Sequence, residues 1–174
     1  MKPLITALFC GLLYNDSADQ KDIYGTLEQE YGRIVLFSKP FIFSETDYYE
    51  SEMGAPLSRL FVAFDRLIEA ERISDIKLRT IEIERTMFSG PKGRNVNIDP
   101  GYLTSAKVVL VTTKNFQHRI YLKGGIYGEV TLRYRRGSFE PWEWTYPDYI
   151  RSVSLEFFNS LREVYREKLR NLEP

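Results

Sequence analysis

Residues 3–14 read PLITALFCGLLY, and where this run is placed governs the rest of the chain. It does not alternate between apolar and polar residues. An apolar run this short, bounded by Pro3 and by Asn15-Asp16, suits a strand buried on both faces. Lys2 ahead of it gives the look of a secretory leader, but no small-residue cleavage site follows, and the next residues, NDSADQKD, open a helix. The run is also too short to span a bilayer. The expectation is a cytoplasmic protein with no membrane partner. Cys10, the single cysteine, lies inside the run and reads as a small buried hydrophobe. One cysteine excludes a disulfide within the chain and a zinc cluster built on thiolates.

Outward from this strand, Ser17 to Gln20 have capping-box spacing, and Ile23, Leu27 and Tyr31 follow at helical intervals before Gly32. This predicts a first helix over 18–31. RIVLF and FIF, separated by Lys39-Pro40, make a second strand whose proline favours an edge or a bulge. SRLFVAFDRLI alternates Leu60, Val62 and Phe64 against Arg59, Phe61, Ala63 and Asp65, as a third strand does. Ile73, Ile76, Thr80, Ile83 and Met87 repeat at helical spacing and mark a second helix. NVNI and KVVLVTT read as further strands, the latter also compatible with a buried helix. A hairpin over 118–135, an aromatic loop and a helix carrying Val153, Phe157, Leu161 and Val164 complete the chain.

The predicted fold is a single α+β domain over 1–174. Its sheet is mainly antiparallel, with helices packed on one face. The order βαββαβ is ferredoxin-like and is followed by a β meander and a C-terminal helix. A chain of 174 residues with a 43% hydrophobic and 14% aromatic content is long and apolar enough to fold without staples. Lys and Arg number 24 against 24 Asp and Glu, and this balance argues against a nucleic-acid partner, whose affinity would rest on basic excess.

The hairpin HRIYLKGGIYGEVTLRYRRG, His118–Gly137, holds the only histidine. A two-residue Gly124-Gly125 turn would pair Leu122 with Tyr127 and would mix Glu129 and Arg133 among apolar residues. A three-residue turn pairs Tyr121 with Tyr127 and Arg119 with Glu129. It keeps His118, Ile120, Leu122 and Val130 on the other face, so it is the expected register. His118 then reads as a core-edge histidine. With no second histidine or cysteine, no nitrogen–sulfur metal site can form.

The polar face of this hairpin is the predicted site. Arg119 and Arg133 can hold a carboxylate or phosphate bidentately, Tyr121 and Tyr127 can stack on the ligand, and Glu129 can orient it. Asp99, in the turn-like NIDPGYL, joins them if its strand is a neighbour. Asp47 and Glu50 approach from the acidic stretch ETDYYESEMG. Glu129, Asp99 and Asp47 are the expected acid/base groups, whereas Arg119, Arg133, Tyr121, Tyr127 and Glu50 are the expected ligand contacts. The partner these imply is a small anionic ligand, with or without a reaction; no motif implies a cofactor. The competing expectation is a protein- or RNA-interaction module on residues 133–146, where Arg133, Arg135 and Arg136 accompany Trp142 and Trp144.

Nucleotide motifs are missing. SGPKGRN follows a helix and lacks the GxxxxGK[ST] spacing of a phosphate-binding loop, and neither GxGxxG nor GxSxG occurs. Through FSETDYYESEMG, NVNIDPGYLTSAKVVLVTTK and HRIYLKGGIYGEVTLRYRRGSFEPWEWTYPDY the chain resembles a bacterial family known only as domain of unknown function 4416. The resemblance covers nearly the whole chain. It implies a cytoplasmic bacterial protein and carries over no catalytic residues. A GTP-binding label attached to some members finds no support here, because the single DxxG match, Asp22–Gly25, falls inside the first predicted helix.

Overall fold

The computed structural model describes residues 3–91 and 93–172. The run that opens the chain is strand β1 (Ile5–Asn15), buried along nearly its whole length. Helix α1 (Gln20–Tyr31) follows, capped by Asp19, whose side chain accepts the Lys21 N–H; Ser17 instead bonds Asn15, so the expected capping box does not form. Short strands β2 (Ile34–Phe37) and β3 (Phe41–Phe43) flank the interrupting proline, and the single-turn helix α2 (Glu50–Met53) precedes the long strand β4 (Leu57–Glu69). Helix α3 (Ile73–Met87) leads to a two-residue-per-strand hairpin, β5 (Ser89–Gly90) and β6 (Gly93–Arg94). Strands β7 (Val96–Leu103), β8 (Lys107–Thr112), β9 (Ile120–Lys123), β10 (Ile126–Arg135) and β11 (Ser138–Pro141) then precede helix α4 (Ser152–Leu172).

Nine strands form one antiparallel sheet in the order β11-β10-β8-β7-β1-β4-β2, with β3 also on β4 and β9 also on β10. This is the expected α+β architecture with a mainly antiparallel sheet. KVVLVTT is strand throughout, and the proline-interrupted segment lies at an edge, both pieces pairing with β4.

The helices do not share one face. Leu8, Cys10 and Leu12 of β1 pack with Ile23 and Leu27 of α1 and Ile73, Ile76 and Ile83 of α3. Ala7 and Phe9, on the other face, pack with Phe157, Phe158, Leu161 and Tyr165 of α4. The expectation of helices on one face is therefore corrected to three layers, helix–sheet–helix. The cause lies in β1 itself: a strand apolar at successive positions exposes hydrocarbon on whichever face is left uncovered. Phe158 fills the second core, its ring 5.0 Å from Phe9 and 5.2 Å from Phe61.

Strand β7 keeps β1 as a neighbour from Val96 to Leu103, but meets β8 only at Gly101, Tyr102 and Leu103. Beyond Gly101 the sheet splits: β8 stays with β10 while β7 stays with β1. Pro100 stands at the parting point and has no N–H to give a ladder. The freed edge of β7 is satisfied by α3. Ile98 donates its N–H to Glu84 Oε1 at 2.6 Å, and its carbonyl accepts from Lys77 Nζ at 2.9 Å. Lys77, Thr80 and Glu84 share one stripe of α3 and are all buried. A helix thus stands in for a strand partner, and the split remains open.

The hairpin combines the two turns weighed from the sequence. Lys123 pairs with Ile126 around a two-residue Gly124-Gly125 turn, both glycines at positive φ (60° and 79°). An irregularity at Leu122 then shifts the ladder so that Tyr121 faces Tyr127. The expected register is present, but a bulge rather than a three-residue turn produces it.

Candidate functional site

The sheet split opens a cavity of about 480 Å³. Its base is a group of buried charges drawn from four elements. Arg59 arrives from β4, on the face shared with Phe61. Lys77 arrives from α3, Asp99 from the freed edge of β7, and Asp148 from the short 3-10 turn before α4. Arg59 Nε donates to Asp148 Oδ2 at 2.8 Å, and its Nη1 donates to Asp99 Oδ2 at 3.4 Å. Lys77 Nζ donates to Asp99 Oδ1 at 3.3 Å, and Asn97 Nδ2 donates to Asp99 Oδ2 at 2.7 Å. The side chains of Arg59 and Lys77 are only 7% and 6% exposed, whereas that of Asp99 is 22% exposed, so its carboxylate keeps a face open.

Burial alone would push the Asp99 carboxyl up. Lys77 and Arg59 outweigh it and hold the group below its ordinary range, as an anion. Burial likewise opposes the Arg59 charge, and Asp148 foremost among its neighbours reverses the effect and raises its pKa. Burial pushes the phenols of Tyr49 and Tyr149 up, so both are neutral at physiological pH. Behind the floor, Arg94 donates to Glu84 Oε2 at 2.5 Å and to Glu52 at 3.2 Å.

Aromatic side chains make much of the wall: Phe43, Tyr48, Tyr49, Tyr146 and Tyr149. The Arg59 guanidinium lies 5.9 Å from the ring centroids of Phe43 and Tyr149. Lys114 stands exposed, with its ammonium 3.7 Å from the Tyr48 ring.

Of the residues expected to form the site, Asp99 alone lines this cavity. Arg119 and Glu129 meet as foreseen, Nε to Oε2 at 2.6 Å, but both are buried. Arg119 also donates to the Tyr146 hydroxyl at 2.9 Å and the Lys114 carbonyl at 3.0 Å, so it ties together two stretches of the cavity wall. His118 does not lie on the apolar face. Its Nε2 is 3.0 Å from Glu129 Oε2, and its ring stacks on Trp144 at 5.2 Å. The segment of residues 142–149 folds over β10 through Trp144 Nε1 to the Val130 carbonyl (3.0 Å) and Thr145 Oγ1 to the Thr131 carbonyl (2.6 Å). That cover buries Glu129 on a face the alternation marked as polar.

The other expected residues lie apart. Arg133 caps the Trp142 ring at 4.1 Å and is 4.0 Å from Glu140. Tyr121 and Tyr127 meet edge to face at 5.4 Å on the β9–β10 hairpin. Asp47 and Glu50 are exposed, and Glu50 borders a second, more open hollow beside Asn15–Ser17 and the β5–β6 hairpin. The aromatic-basic segment spends its faces internally: Trp142 lies between Arg133 and Trp144, and Trp144 between Trp142 and His118. Among the described residues, no three His, Cys, Asp or Glu side chains gather as a metal site would require. No helix among them is long and apolar enough to cross a membrane.

Sequence reasoning missed Arg59, Lys77, Lys114 and Asp148. For Arg59 a signal existed. It shares its strand face with Phe61 and Ala63, and a charge on an apolar face is a buried-polar candidate. For Lys77 the signal was the stripe Lys77-Thr80-Glu84, hidden among the isoleucines of α3.

A family model described as Domain of unknown function (DUF4416) matches residues 5–165. No curated protein and no solved structure matches the chain.

Proposed function

The chain belongs to the DUF4416 family, whose description assigns no activity, and from the cavity we propose that it binds a small molecule bearing a carboxylate or phosphate in the split between β7 and β8. The observation that carries this is the pair of buried cations, Arg59 and Lys77, converging on Asp99 at the cavity floor. An ammonium has three donors, and Ile98 and Asp99 take two from Lys77. A guanidinium has five, and Asp148 and Asp99 take two from Arg59. The remaining donors are preorganised for an oxyanion, and Arg59 is suited to bidentate recognition.

Charge supports the same reading. Four cations line the cavity (Arg59, Lys77, Arg94 and Lys114) against three carboxylates (Glu45, Asp99 and Asp148). Among the described residues Lys114 makes no ion pair. The cavity's size falls in the range of small-molecule pockets, about 300–1,000 Å³. Arg119, held by Glu129, fixes Tyr146 and the Lys114 backbone and so acts in support of the wall.

The test is a thermal-shift screen against inorganic phosphate, phosphorylated metabolites and carboxylates, with and without Mg²⁺. A ligand at a hundred times its dissociation constant adds about 2.7 kcal/mol, which raises Tm by roughly 5–11 °C in a chain of this size. The shift is expected to shrink in Lys114→Ala, an exposed position that spares the core, and to vanish in Arg59→Gln. A blank panel, or a hit unchanged in both variants, overturns the proposal.

A further inference from the structure

The carboxylate at the cavity floor narrows the class of ligand. Asp99 Oδ2 already accepts from Arg59 and Asn97, whereas Oδ1 accepts from Lys77. A carboxylate oxygen offers about two lone-pair sites, so Oδ1 keeps one. The floor therefore presents an acceptor, Asp99 Oδ1, within 3.3 Å of a donor, Lys77 Nζ, with Arg59 donors beside them.

A plain anion satisfies only half of this arrangement. Its oxygens would take the free N–H groups of Lys77 and Arg59, but its charge would then face the Asp99 anion with no proton between them. In a buried site that like-charge contact is costly, and Oδ1 would stay unpaired. A ligand with a hydroxyl or ammonium group next to its carboxylate resolves both problems. The added group donates to Oδ1 while the carboxylate accepts from Lys77 and Arg59. Phe43 and Tyr149 flank the guanidinium, and Leu13, Ile81 and Leu110 add apolar wall, which gives an apolar body on the ligand a surface to pack against.

Resting on the binding reading above, we infer that the cavity selects a carboxylic acid with a hydrogen-bond donor on the adjacent carbon, a 2-hydroxy or 2-amino acid, carrying an apolar body. Asp99 is the residue that discriminates.

The probes are 3-phenyllactate, phenylalanine, 3-phenylpropionate and phenylalaninamide, titrated calorimetrically into the full chain. 3-Phenyllactate or phenylalanine is expected to bind about tenfold or more tightly than 3-phenylpropionate, because a hydrogen bond to a charged group is at stake. Phenylalaninamide, lacking the anion, is expected to bind more weakly than phenylalanine. In Asp99→Asn the preference over 3-phenylpropionate should collapse. If that variant does not fold, the comparison on the unaltered chain decides alone. Equal affinity for 3-phenylpropionate and the donor-bearing acids overturns the inference, as does no binding by either donor-bearing acid. A phosphate or simple carboxylate hit in the thermal-shift panel, combined with either result, leaves the binding proposal standing while this one falls.

Discussion

Ile98 gives its backbone N–H to the side chain of Glu84, 2.6 Å away, at a point where a neighbouring strand would ordinarily accept it. The same carboxylate receives Arg94 at 2.5 Å, and the Ile98 carbonyl receives Lys77. The α3 stripe thus settles the hydrogen bonds of an interior strand edge, which otherwise would be buried without partners. This substitution of helix for strand lets the sheet divide with the Ile98 backbone groups still hydrogen-bonded, and the cavity lies where it divides.

Removing that carboxylate should be costly. Glu84→Ala leaves the buried Ile98 N–H without an acceptor, which costs about 1–3 kcal/mol, and takes the nearer counterion from Arg94, which keeps Glu52. Urea unfolding is expected to show a lower midpoint at unchanged slope. Glu84→Gln keeps an acceptor for Ile98 and should lose less. Equal stability of Glu84→Ala and the unaltered chain would show that the edge finds another partner.

The Glu84 and Asp99 carboxyls of this network should pull stability in opposite directions with pH. Burial raises the Glu84 pKa above its ordinary 4.5 despite Lys77, the Ile98 N–H and Arg94. Between 4.5 and the folded value the unfolded chain has released the proton and the folded chain has not. Stability therefore falls as pH rises through that window, and is regained as pH drops through the folded value. Asp99 is held below its ordinary 3.8, so its contribution is full above 3.8 and is lost as pH falls through its folded value. Unfolding midpoints measured against pH should lose the slope just above 4.5 in Glu84→Gln and the slope just below 3.8 in Asp99→Asn. Unaltered slopes in both variants would mean that neither group is perturbed.

Gly101 is the last residue joining β7 to β8 before the split, and a Cβ there would overlap both the Phe9 ring and the Val109 carbonyl oxygen. Neither neighbour can yield: one sits in the second core and the other is backbone. Gly101→Ala is expected to cost about 1–3 kcal/mol through overpacking. That lowers Tm by roughly 2–12 °C in a chain of this length. A Tm equal to that of the unaltered chain would imply that the strands can move apart.

Much of this frame is legible in the residues, and the illegible part has a physical cause. The largely apolar run of residues 4–14 marked β1 as buried on both faces, yet the expectation of helices on one face left the second face without the cover that α4 supplies. Local patterning identified α4 but carries no information on which face it covers. The Tyr121–Tyr127 register followed from face consistency, though the Leu122 bulge behind it did not. The site was harder to see. Asp99 could be named because it stands near a turn with Asn97. Its partners Arg59, Lys77 and Asp148 lie 40, 22 and 49 positions away in sequence. Only the split sheet brings them together. Periodicity put Arg59 on a face with Phe61 and Ala63 but could not show that Asp148 would meet it there, and it marked Glu129 as polar because it cannot show that the segment of residues 142–149 covers it.

Arg119 and Glu129 offer the last test, of how the cavity wall is held. Both side chains are buried, at 6% and 0% exposure, so either single removal leaves an uncompensated charge. Glu129→Leu and Arg119→Met are each expected to cost about 3–5 kcal/mol by this mechanism. The double variant removes both charges together and should cost less than the sum of the singles, with a coupling of about 1–3 kcal/mol in a double-mutant cycle. A second readout separates charge from wall-holding. Arg119→Met also loses the bonds to Tyr146 and to the Lys114 carbonyl, whereas Glu129→Leu spares them directly. Arg119→Met, alone or in the double variant, should therefore weaken any ligand found for the cavity even after stability is partly recovered. Full recovery of binding in the double variant would assign the pair to folding alone.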